Sequence, residues 1–71
     1  MTQEEKEYMA YTAFMNESFG GCEVIGGGRF QDNGRCWVCS VHLNDGTRDM
    51  LAVYTVEFGD KEISKTHYEI I

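Results

Sequence analysis

The sequence predicts an α+β domain, with an N-terminal helix packed on one face of a four-stranded antiparallel meander of order 1-2-3-4. Three observations predict it. A helix-capping motif opens the chain, and no helix breaker follows until Gly20-Gly21. Two turn signals, Asn33-Gly34 and Asp45-Gly46, punctuate what remains. Around the second, Arg35 to Phe58 reads RCWVCSVHLNDGTRDMLAVYTVEF, two runs of strand-formers about one bend.

The helix is justified first. In Thr2-Gln3-Glu4-Glu5 the Thr2 hydroxyl can accept from the Glu5 N–H while the Glu5 carboxylate accepts from the Thr2 N–H. Glu4, Glu5 and Glu7 also suit the positive end of a helix dipole. The pattern predicts a helix over residues 3–18. Tyr8, Tyr11, Met15 and Phe19 recur at helical spacing with Phe14 beside them, and Lys6, Thr12, Asn16 and Glu17 fall opposite. Gly20-Gly21 offers the left-handed position that ends helices.

The first strand, residues 22–31, meets three glycines at Gly26 to Gly28 and resumes at Arg29-Phe30-Gln31. Asn33-Gly34, taken as a two-residue type I′ turn, pairs Phe30 with Trp37, Gly28 with Cys39, Gly26 with Val41 and Val24 with Leu43. Asp45-Gly46, taken the same way, pairs Leu43 with Arg48, Val41 with Met50, Cys39 with Ala52 and Trp37 with Tyr54 on one face. His42–Asp49, Ser40–Leu51, Val38–Val53 and Cys36–Thr55 form the other. The first face is bulkier and more apolar, so it is the predicted core, and both turns agree on it. The last strand, residues 62–71, follows Gly59-Asp60-Lys61. A three-residue loop places Tyr68 opposite Ala52 and Ile70 opposite Met50, both inward. A Gly59-Asp60 loop would turn Ile63 inward and Tyr68 outward; the first is preferred because it buries a ring. A small row, Gly28–Cys39–Ala52, would let the helix approach closely beside an aromatic row, Phe30–Trp37–Tyr54. The glycine run would let strand 1 bend.

Composition bounds the function. Seventy-one residues make one small domain, near the size where a single core barely suffices. Net charge is −6, which opposes direct binding to nucleic acid or an anionic membrane and suits a protein partner that is basic or itself nucleic-acid-binding. MTQEEKE lacks the basic start and apolar stretch of a signal peptide, and no apolar run reaches the ~18 residues of a membrane span. With three cysteines, an odd number, the expected setting is the cytoplasm, or a host cytoplasm for a phage-encoded chain.

Three chemistries are weighed against plainer meanings. Cys36-x-x-Cys39 with His42 and Cys22 has enough N and S donors for zinc, and a small metal-binding protein is one alternative. On a strand, however, residues three apart face opposite ways, so Cys36 and Cys39 diverge. Gly26 to Gly28 lacks the Gly-Lys-Ser/Thr and the following helix of a phosphate loop. His42 opposite Asp49 is more simply a solvated cross-strand pair than an acid–base couple. The reading is therefore non-enzymatic and without a cofactor.

The outer sheet face carries the functional expectation. One helix can cover one side of the strands. The other side gathers Val38, Leu51 and Val53, rimmed by Arg29, Asp49, His67 and Glu69, and these seven are the candidate partner-binding residues. A homodimer through this same face, sheets back to back, is the second alternative, and the strand edges offer a further route to association.

Helix-plus-meander architecture resembles the helix-wrapped sheets of cystatins and PepSY modules. The Gln-Val-Gly and Pro-Trp loops of cystatins are absent, so no protease-inhibitor role is implied. Small size, acidity and the lack of a catalytic constellation resemble the profile of phage- or mobile-element-encoded inhibitors such as anti-CRISPR proteins. That resemblance implies an inhibitor or modulator of a protein partner.

Overall fold

A computed structural model describes residues 1–71. Helix α1 spans Gln3–Met15 and a 3-10 turn follows at Phe19–Gly21. The strands are β1 (Glu23–Gly27), β2 (Gln31–Asn33), β3 (Cys36–Asn44), β4 (Asp49–Phe58) and β5 (Ile63–Ile70). All pairings are antiparallel, in the order β1-β3-β4-β5, with β2 on β3 beyond the end of β1. The α+β class with one helix on one antiparallel sheet holds. The strand number rises to five because the glycine run breaks the first strand rather than bending it. Between the two pieces only the Gly28 N–H keeps the ladder, donating to Ser40 O at 2.9 Å. The break frees Phe30 to set its ring against Tyr11, Phe14, Trp37 and Tyr54, with centroids 5.0 to 6.3 Å apart.

The capping box forms as expected: Thr2 Oγ1 accepts from Glu5 N at 3.1 Å and Glu5 Oε1 accepts from Thr2 N at 2.9 Å. The helix stops at Met15 rather than residue 18. Asn16 closes it, its N–H bonding back to Thr12 O and Ala13 O. The left-handed residues come later, at Phe19 (φ 49°), Gly20 (φ 66°) and Gly21 (φ 87°).

The helix face differs from the expected one. Ala10 is buried, with Met9, Ala13 and Phe14 partly so, while Tyr8 is 74% and Met15 82% exposed. Small side chains decide this: Ala10 and Ala13 let the helix backbone settle close to the sheet, which a Tyr8–Met15 stripe would hold away. Lys6, expected opposite, is half-buried with its ammonium 5.6 Å from the Phe58 ring centroid. The row Gly28–Cys39–Ala52 does not form, because Cys39 faces Tyr54 and Ala52 faces Val41.

The central hairpin closes two residues wider than a type I′ turn would. That turn needs positive φ at both central residues; only Gly46 has it, at φ 101°. Instead the Asp45 carboxylate accepts from Thr47 N (2.9 Å), Thr47 Oγ1 (2.8 Å) and Arg48 N (3.0 Å), and Asn44 Oδ1 accepts from Gly46 N (2.7 Å). The pairs become Leu43–Met50, Val41–Ala52, Cys39–Tyr54 and Trp37–Val56. A two-residue shift preserves side-chain parity, so the assigned core face survives although its individual pairs do not. Trp37, Cys39, Val41, Leu43, Ala52 and Tyr54 are all buried.

At the other turns the register also moves by two, but by other means: the β2–β3 turn keeps two residues and is centred one position later, while the last loop is one residue longer than expected and a bulge at Glu57/Phe58 adds the second step, turning Ile63 inward as well as Tyr68. Gly34 (φ 84°) and Arg35 centre the β2–β3 turn, with Asp32 Oδ1 accepting from Gly34 N at 2.8 Å, so Trp37 faces Asp32 rather than Phe30. Val24 does face Leu43, but a bulge after it sets Gly26 against His42 instead of Val41. Tyr68 points inward as expected, opposite Tyr54 rather than Ala52, and Ile70 faces Ala52 rather than Met50. Phe19, Tyr54 and Tyr68 stack edge-to-face with centroids 5.2 to 5.6 Å apart. Such contacts add to the stabilisation from area burial.

Candidate functional site: the open outer sheet face

β3 and β4 alternate strictly, and β5 does so from Lys65 onward, past a bulge opposite Glu57 and Phe58, so the residues between the core positions line a second face. Three cross-strand rows build it: His67–Thr55–Val38–Gln31, Glu69–Val53–Ser40, and Leu51–His42–Gly26. α1 and the 3-10 turn both pack on the opposite side, through Ala10, Phe14 and Phe19. Val38 and Val53 are half-buried within the sheet surface, and Leu51 is 39% exposed.

The structure places all seven candidate residues on or beside this face. Val38, Leu51, Val53, Asp49, His67 and Glu69 share it by register. Arg29 stands in the break between β1 and β2 and walls a shallow depression of ≈ 310 Å³ with Gln31, Val38, Ser40 and Val53. Asp49 lies at the hairpin end, opposite Asn44, whose Nδ2 donates to its Oδ1 at 2.8 Å. Since His42 faces Leu51, the expected His42–Asp49 pair is not made. Cys36 faces Glu57 rather than Thr55.

Sequence reasoning missed one contributor to this face and one separate patch on the far side of the molecule. Ile71 continues the β5 ladder, its N–H donating to Leu51 O at 2.8 Å, which sets it next to Leu51 on the outer side. Tyr8, Tyr11 and Met15 form a second exposed apolar strip on the back of α1, beside Glu4, Glu7 and Thr12. The alanines at 10 and 13 were the signal for the buried side of that helix.

The cysteines diverge. Cys39 is buried on the core face and its Sγ donates to Gly28 O at 3.1 Å. Burial raises its thiol pKa, against the smaller pull of that bond. Cys22 and Cys36 are half-buried elsewhere, all three thiols are free, and no three His, Cys, Asp or Glu side chains gather to hold a metal ion. Trp37 Nε1 is buried without an acceptor in the protein, beside a ≈ 140 Å³ cleft lined by Glu7, Tyr11, Arg29 and Asp32. No helix is long and apolar enough to cross a membrane.

These features define a class: a small α+β domain with one sheet face packed and the other open. Comparison with protein-family models, curated proteins and solved structures finds no match to the chain.

Proposed function

We propose that this protein is a non-catalytic binding module that docks on a protein partner through its outer sheet face. The observation that carries the reading is the open face itself, where Val38, Leu51 and Val53 sit together with no segment of the chain above them. Arg29 beside the depression and His67, Glu69 and Asp49 around the valines give the patch a polar rim. An apolar centre in a polar rim is the anatomy of protein interfaces. The chain's net charge of −6 favours a partner with a basic surface, since complementary fields steer encounter.

Inhibition or modulation of a basic, nucleic-acid-binding target is the concrete form of this activity, of the kind anti-CRISPR proteins perform. Size and acidity support it. Three free thiols suit a reducing cytoplasm.

Val53→Arg tests the reading. Arg can extend its stem along the sheet, so the fold should hold and the thermal transition should stay within a few degrees of wild type. Affinity capture from the native host, identified by mass spectrometry, should recover a protein with the wild-type chain that the variant loses. Retention of the same protein by a folded Val53→Arg chain would show that the outer face is not the interface.

A further inference from the structure

We propose that β5 is a self-pairing edge: two copies join their β5 strands antiparallel about a two-fold axis at His67, forming one continuous sheet. This does not rest on the outer-face reading: it uses the free backbone edge of β5, although the Glu69 and His67 side chains also rim the outer face.

β5 is last in the sheet order, so one side of it has no neighbouring strand. Ile71 N–H donates to Leu51 O, and Glu69 and His67 face Val53 and Thr55 in the same phase. Antiparallel geometry then turns the amide groups of Thr66, Tyr68 and Ile70 to the free side, above a bulge that leaves Ser64 unpaired opposite Glu57 and Phe58. Centring the axis at His67 brings Thr66 against Tyr68 of the second copy, and Tyr68 against the second Thr66. Those are the residues whose N–H and C=O groups lack a strand.

Charge selects this register over its neighbours. Lys65 meets Glu69 of the second copy, and Glu69 meets the second Lys65, so symmetry makes the pair twice. Axes at Lys65 or Glu69 would oppose like charges, an axis at Thr66 would set Lys65 against His67 and leave Glu69 without a lysine, and one at Tyr68 would set Lys65 against Ile71. Within one chain Lys65 faces Glu57 and Glu69 faces Val53, and neither is in an ion pair; the only one is Arg48–Asp45 at 3.9 Å. A lysine on an edge strand normally discourages strand addition. Here the second copy neutralises it, so the edge admits its own kind and rejects others. The axis stands normal to the sheet, which keeps both helices on one side and both outer faces on the other.

Sedimentation equilibrium from about 1 to 200 µM at low salt tests it, because exposed charge pairs are screened. The wild type should show a reversible dimer. Lys65→Glu and Glu69→Lys should each weaken it about tenfold, through two like-charge contacts apiece. The double swap should restore it to within about threefold, since the pairs are remade with signs exchanged. Hydrogen exchange of the wild type gives a reading that needs no variant: the Thr66 and Tyr68 amides should slow as concentration rises. A strict monomer, a dimer indifferent to the single swaps, a double swap as weak as the singles, or concentration-independent exchange at those amides each overturns the proposal.

Discussion

Phe19 shows how one residue is held against its own preference. A bulky side chain at φ 49° is an uncommon backbone state that costs on the order of 1 kcal/mol. The strain persists because the ring is 1% exposed and touches Phe14, Tyr54 and Tyr68. Phe19→Ala should therefore cost about 3–5 kcal/mol, most of the stability of a chain this short, and a denaturant titration should find it largely unfolded. Asp45 makes a prediction in pH. Its carboxyl is held down to about 2 from an ordinary 3.8 by the Thr47 N–H, then by the Arg48 N–H and the Thr47 hydroxyl. A depressed carboxylate lends stability that is complete above its unfolded pKa and is lost as pH falls through the folded value. Wild type should thus lose melting temperature between about pH 4 and pH 2 more steeply than Asp45→Ala. Cys39 makes a third prediction. Buried, and with its thiol pKa raised by desolvation, it should resist alkylation in the native protein while Cys22 and Cys36 react. Labelling at Cys39 as fast as at the other two would contradict its placement in the core.

At the scale of elements, the helix face is the sharpest correction and is directly testable. Ala10→Leu should cost about 1–3 kcal/mol by wedging α1 off the sheet, whereas Met15→Ala, at 82% exposure, should change stability by less than about 0.5 kcal/mol. The reverse order in urea melts would restore the Tyr8–Met15 stripe as the packed side. What was legible in the sequence, and what was not, follows from the kind of signal involved. The capping box was legible because its partners are three residues apart. The two sheet faces were legible because alternation fixes parity: a wider central loop, a β2–β3 turn centred one residue later, and a longer last loop plus a bulge each moved the pairings across them by two, an even number. Exact partners were not legible. Asp45 and Asn44 side chains cap the loop in a way that competes with a type I′ turn, and Asx-Gly alone does not say which geometry wins. The break at Gly28 was not legible either, since it depends on where Phe30 finds the aromatic cluster. Parity likewise put six of the seven candidate residues on one surface, with Arg29 beside them in the break between β1 and β2, and it put Ile71 there too, although Ile71 was not among the candidates.

For the whole molecule the central feature is asymmetry between two sheet faces. Eight of the nine aromatic side chains lie in one network on the helix side, and Tyr8 alone stands apart. The outer face keeps aliphatic residues among charges of both signs: Arg29 and Lys65 against Asp49, Glu57 and Glu69. The four glutamates Glu4, Glu5, Glu7 and Glu17 sit on or just after α1 and account for much of the net −6. The outer face is thus closer to neutral than the rest of the chain, and association there should depend on salt mainly through its rate. The most direct measurement is methyl NMR with a soluble paramagnetic probe. The account predicts that Val38, Leu51 and Val53 methyl signals lose intensity while those of Val41, Leu43 and Val56 keep it. Equal protection of both sets, or broadening of Val41 and Leu43 in place of Leu51 and Val53, would contradict it.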